Sequence, residues 1–120
     1  MKISRAKGET VALAILEMDV QWAAIFADLD MTDLNYSDLF MRMWMSKGME
    51  LSKTALYDFM PGVSRRTAVR YVQNLVDNGW LIEQQAEDRR IKYVSLSPEI
   101  DIRLERFLDF AFDRLGRIKG

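Results

Sequence analysis

The sequence predicts a mostly helical fold carrying one small β-hairpin. Three observations point to it. Apolar residues recur at helical spacing through the first half of the chain and again near its end. Two short strand-like segments, at about 80–85 and 90–96, flank a charged tip, which is a hairpin pattern. Turn and cap residues fall at the joints: Pro61-Gly62, Ser64, Asn78-Gly79 and Ser97-Pro98. With 120 residues, the chain suits a single domain, 1–120, around one core.

The first helix is expected over about 9–29. Val11, Ile15, Met18, Trp22, Ile25 and Leu29 step by alternating fours and threes, and Leu13, Leu16, Val20 and Ala24 are read as thickening the same face. Asp28, Asp30 and Asp33 mark a break. A second helix follows from about 36 to 46, capped by Asn35 or Ser37 and stopped at Lys47-Gly48. It belongs to a stretch rich in methionine: Met41, Met43, Met45 and Met49. The plainer reading of these is core filling by a flexible side chain; the sharper one is an adaptable pocket for a small apolar effector.

Ser52 caps a short third helix reaching about Phe59, and Pro61-Gly62 turns the chain. Ser64 caps the fourth helix, about 65–78, whose Ala68, Val72, Leu75 and Val76 form one apolar stripe. Gly79 suits the left-handed position after that helix, with Trp80 packing back on it. Residues 86–89 form the hairpin tip, and Ser97-Pro98 opens a last helix over about 98–116. Ile100, Leu104, Phe107, Leu108, Ala111, Phe112 and Leu115 make its apolar stripe, which Ile102 and Phe110 widen.

Composition narrows the chemistry. The chain has neither cysteine nor histidine. Disulfides, thiolate metal sites and the commonest general base are therefore excluded. Glu87 and Asp88 are adjacent carboxylates on a hairpin tip, where they point apart into solvent, so no enzyme is expected. The aspartates at 28, 30 and 33 lack the calcium-loop spacing; no metal and no cofactor is expected. No apolar run reaches the roughly 18 residues that a bilayer requires, and no cleavable leader is visible, so a cytoplasmic protein with no membrane contact is expected.

The net charge is only −1, from 17 basic and 18 acidic residues, but the charges are unevenly placed. Residues 9–50 hold eight acids against Arg42 and Lys47, whereas residues 64–92 hold six bases against four acids. A local basic face on a near-neutral body is sufficient for site-specific binding to nucleic acid. Two helices joined by a tight turn form a helix-turn-helix, whose second helix can enter the major groove. That second helix opens with Ser64, Arg65, Arg66 and Thr67, followed by Arg70 and Tyr71. Arginines bind guanine edges or neutralise phosphates; hydroxyls reach either. Arg89 and Arg90 at the hairpin tip, and Lys92 on the return strand, suit a wing that reaches the minor groove. Asp88 is placed to hold a neighbouring arginine. The fold class read from the residues is therefore a winged helix-turn-helix.

Val63 to Leu81, followed by Asp88-Arg-Arg-Ile-Lys-Tyr-Val-Ser-Leu-Ser97, resembles the core of MarR-type winged-helix transcriptional regulators, over about residues 50–100. The resemblance rests on the Ser-x-x-Thr helix start, the Leu75…Gly79 stop and the Asp-x-Arg wing before Val-x-Leu-Ser. It implies a DNA-binding core over about 50–97. The helix at about 64–78 would read the major groove, and the wing at about 80–96, through Arg90, would reach the minor groove or backbone. Ser52, Lys53 and Thr54 at the start of the third helix join the candidate contacts. It also implies a homodimer on double-stranded DNA, paired through the helices at about 9–29 and 98–116. Candidate dimer residues are Val11, Ile15, Met18, Trp22, Leu104, Phe107, Leu108 and Phe112. Three features depart from the family pattern: a turn at 59–63 one residue longer, a slightly shorter wing, and Glu83-Gln84-Gln85 where a basic residue often stands. The competing reading is a winged-helix protein-interaction module without DNA binding, in which the arginines would pair with the chain's own acids.

Overall fold

A computed structural model describes residues 2–31, 33–87 and 90–118. The described chain runs through helices α1 (Arg5–Ile25), α2 (Leu34–Met45), α3 (Lys53–Asp58) and α4 (Arg65–Asp77), strands β1 (Leu81–Gln85) and β2 (Lys92–Leu96), and helix α5 (Pro98–Gly116). A 3₁₀ turn at Ala27–Leu29 follows α1. The chain falls into two compact units. One joins the segment up to residue 32 to the chain from Glu105 onward; the other is Asp33–Leu104. The latter starts upstream of the expected core, at about 50, and includes α2.

Within the Asp33–Leu104 unit, caps set the helix boundaries. Ser52 and Ser64 accept the backbone N–H of Ala55 and Thr67, as expected of N-caps. At α2 the cap is Asp33, whose carboxylate accepts from Asn35 N at 2.8 Å, so the helix starts earlier than an Asn35 or Ser37 cap would allow. After α4, Trp80 N donates to Leu75 O and Gly79 N to Val76 O, the two bonds of a Schellman stop. Gly79 sits at φ +77°, a left-handed conformation that side chains other than glycine and asparagine seldom adopt. In the turn between α3 and α4, a Cβ on Gly62 would meet Asn35 Oδ1 at 2.8 Å, so a larger residue there would have to push the Asn35 amide aside.

β1 and β2 pair antiparallel, with Leu81 opposite Leu96, Glu83 opposite Val94 and Gln85 opposite Lys92. Val94 N also donates to Leu51 O at 2.8 Å, tying the hairpin to the residue before the α3 cap. Leu39, Phe40, Leu56, Met60, Ala68, Val72, Leu75, Leu81, Val94 and Ile100 are buried. Among the methionines of α2 and its exit, only Met43 is core; Met45 and Met49 are exposed. A cavity of about 110 Å³ beside Met43, Leu51 and Leu96 is well below the few hundred Å³ of a typical ligand pocket.

In the other unit, α1 starts four residues earlier than expected because Ser4 caps it, accepting from Lys7 N, and it ends at Ile25. Trp22 packs on Phe26 (centroids 4.3 Å apart) and edge-on to Phe107 (5.1 Å). Its indole N–H donates to Met31 O at 3.0 Å. Arg114 hydrogen-bonds Glu17 and holds its carboxyl below the ordinary carboxylate value.

The structure divides the residues read as dimer candidates. Trp22, Leu104 and Phe107 are buried within the chain and offer no surface to a partner. Val11, Met18 and Leu108 are half-buried, while Ile15 and Phe112 are exposed. Leu13, Leu16 and Val20 do not thicken the seam of Val11, Met18 and Trp22. At 100° per residue they lie on the opposite side of α1, where all three are exposed.

Candidate nucleic-acid interface

The recognition-helix candidate, α4, has two chemically distinct sides. Ala68, Val72 and Leu75 are buried. Arg66, Arg70, Gln73 and Asp77 step by 4, 3 and 4 along the other side, and all four are exposed. Ser64 Oγ accepts from Thr67 N at 3.2 Å and donates to Thr67 Oγ1 at 3.0 Å, fixing the first turn. Arg65 is exposed, with its guanidinium 5.2 Å from the centre of the Tyr57 ring. Arg70 lies 5.9 Å from the Tyr71 ring. Among the described residues, Arg65, Arg66 and Arg70 make no ion pair, and all three keep their charge available at the surface.

Tyr71 sits differently from its reading as a hydrogen-bond donor to DNA. Its hydroxyl donates to Asp33 Oδ2 at 3.2 Å, and its ring stacks on Tyr36, 4.8 Å away and 11° from parallel. Burial and the Asp33 charge both push its pKa up; the Asn35 N–H, first among the bonds to Asp33, holds that carboxyl low. Tyr71 therefore positions α4 against the start of α2, and Asp33 and Tyr36 are the partners that sequence spacing does not reveal, 38 and 35 residues away.

At the start of α3, Ser52 is committed to its cap and Thr54 is exposed. Lys53 Nζ donates to Gln73 Oε1 at 3.3 Å and forms an ion pair with Glu83 Oε1. That oxygen is buried and has no well-aligned hydrogen bond, so the contact is ionic in character. Lys92 opens β2, its Nζ 4.0 Å from Glu83 Oε2. Arg90, beside the hairpin tip, is exposed. Arg89 and Asp88 lie outside the described residues. The structure thus brings α3, α4 and the hairpin together at Lys53, Gln73 and Glu83, a junction that the sequence reading missed. The alternation Leu81-x-Glu83 was its one available signal, since it places an acid on the side of the strand that carries core residues.

No family model and no curated protein matches this chain. Solved structures do. A transcriptional regulator from Thermotoga maritima is 14 % identical, with 96 % of this chain and 79 % of that one covered and a TM-score of 0.62. Apo MarR from E. coli is 16 % identical, with 98 % and 84 % covered and a TM-score of 0.56. MepR, a transcription regulator of the Staphylococcus aureus multidrug efflux pump MepA, is 11 % identical, with 97 % and 82 % covered and a TM-score of 0.64. At such identities the likeness is one of fold: five helices and a two-stranded hairpin, arranged as in the MarR-type winged-helix proteins.

Proposed function

We propose that this chain, which has the fold of the MarR-type winged-helix regulators, is a sequence-specific double-stranded DNA-binding transcriptional regulator, cytoplasmic and not an enzyme. One observation carries the reading. Arg66 and Arg70 are exposed on one side of a helix whose other side is buried, and neither is paired with an acid among the described residues. The competing protein-interaction reading expects these arginines to pair with the chain's own acids, and Arg66 and Arg70 do not do so among the described residues. On this reading α4 enters the major groove, and Arg65, Arg66 and Arg70 contact bases and phosphates. The hairpin, led by Arg90, follows the minor groove or the backbone, with Lys92 beside it.

The acting species is a homodimer. A single recognition helix spans too few base pairs for selectivity, and two-fold pairing matches half-sites about one helical turn apart. The exposed Leu13, Leu16 and Val20 of α1 and Phe112 and Leu115 of α5 supply apolar surface for the partner copy. They replace Trp22, Leu104 and Phe107 in that role.

The test is fluorescence-anisotropy binding to a pool of genomic duplex fragments across a salt series, with Arg66→Ala/Arg90→Ala as control. Steeply salt-dependent binding that collapses in the double variant is the expected result. Absence of binding at low salt, or equal binding by the variant, rejects the DNA reading in favour of a protein-interaction module.

A further inference from the structure

Glu83 stands on the side of β1 that carries the buried Leu81, and it faces the buried Val94. Its side chain is 25 % exposed. An acid in this position is not what hairpin packing calls for; glutamine has the same shape without the cost of desolvating a charge. The carboxylate gathers cations instead. Lys53, 31 % exposed, pairs with Oε1, while Lys92, 60 % exposed, lies 4.0 Å from Oε2 as its diagonal cross-strand neighbour. Lys53 also donates to Gln73, which shares the exposed side of α4 with Arg66 and Arg70. The cluster therefore borders the arginine face, and one acid there offsets one of two lysine charges.

We propose that Glu83 sets how many cations this chain presents to DNA phosphates, by holding Lys53, and more loosely Lys92, away from the duplex backbone. The proposal rests on the DNA-binding reading above. Each phosphate contact contributes about 0.9 to the slope of log affinity against log salt. Releasing one or both lysines should therefore steepen that slope by about 0.9 to 1.8. Because phosphates carry no base identity, the change should be equal on any sequence. Glu83 then acts as an affinity governor, fixing the salt range over which the protein lets go of DNA.

The experiment measures binding of wild type, Glu83→Gln, Glu83→Gln/Lys53→Gln and Lys53→Gln to an enriched duplex and to an unrelated duplex of equal length. Salt runs from 50 to 200 mM, and thermal melting monitors folding. Glu83→Gln is expected to bind more tightly at low salt and to lose about 3.5- to 12-fold more affinity than wild type across the series, on both duplexes. Adding Lys53→Gln should cancel about 0.9 of the gained slope. Lys53→Gln alone should leave the wild-type slope unchanged, because that lysine is held off the phosphates; this variant keeps the test alive if Glu83→Gln does not fold. A Glu83→Gln slope equal to or shallower than wild type overturns the proposal while leaving DNA binding intact. So does a fall of about 0.9 in Lys53→Gln alone, which would place Lys53 already on a phosphate. Wild type without salt-dependent binding would instead remove the DNA reading itself.

Discussion

Helices α4 and α1, one in each unit of the chain, distribute their apolar side chains differently. In Asp33–Leu104, helix α4 buries Ala68, Val72 and Leu75 and keeps arginines on its other side. Its ends are closed by a serine cap and a Schellman stop, leaving little apolar surface on it beyond Val69. In the other unit, α1 is apolar on two sides. Ala14, Trp22 and Ile25 are buried, whereas Leu13, Leu16 and Val20 face outward, with Val20 69 % exposed. Phe112 of α5 is 83 % exposed. Burying a side chain of this size contributes about 1.5–3 kcal/mol, so a surface that leaves several uncovered is unfinished. The contrast lies between the two helices: α4 has one apolar side and buries it, whereas α1 has two and leaves one exposed, the side assigned above to the proposed partner copy.

The largest expected effect comes from breaking the unfinished surface. If the chain acts as the proposed homodimer, Leu16→Glu/Val20→Glu should shift it to monomer in sedimentation and reduce affinity for a two-half-site duplex by at least about 100-fold, since the second half-site is no longer engaged intramolecularly. Unchanged mass in the double variant would move the interface elsewhere. The buried side of α4 should respond to cavity creation instead. Leu75→Ala, at a fully packed site, should cost about 2–5 kcal/mol in urea unfolding, a large share of a small domain's stability. A loss below about 1 kcal/mol would show that α4 is less firmly seated than its burial suggests.

Smaller effects test the local devices. Ser64→Ala should cost about 1 kcal/mol and fray the first turn of α4, seen as faster amide exchange at Thr67. The smallest concerns Asp33 and Tyr71. Asp33 has its pKa lowered in the fold, so its contribution is present above its unfolded value, near pH 4, and is lost as pH falls through the folded value. Tyr71 has its pKa raised, so its contribution is present below about pH 10 and is lost as pH rises through the folded value. Asp33→Asn should flatten part of the acid limb in melting experiments, and Tyr71→Phe part of the alkaline limb. Unchanged limbs in both variants would show that this hydrogen bond does not steady α4.

Much of the fold is legible because its signals are local. Ser52, Ser64 and the Asn78-Gly79-Trp80 stop each act within a few residues, and each lands where spacing places it. The start of α2 was misplaced by one cap because Asp33, Asn35 and Ser37 all suit the role and only the backbone path selects among them. Within the candidate interface, the exposure of Arg66 and Arg70 was readable from helical phase, opposite the apolar stripe of α4. Tyr71 and Lys53 were not, since their partners Asp33 and Glu83 are 38 and 30 residues distant in sequence and nothing local distinguishes a hydroxyl or ammonium aimed at DNA from one aimed at a carboxylate.

The order of helices, the turn chemistry, the hairpin and the basic start of α4 follow from the sequence by itself, because propensity, capping and period are properties of neighbouring residues. Tertiary structure decided which apolar side of α1 is core and which is surface, since both have helical spacing and only packing against Phe107 buries the Trp22 side. It also decided which cations stay available, because an ion pair depends on distance in space, and Glu83 comes within reach of Lys53 only once the hairpin is bonded to Leu51.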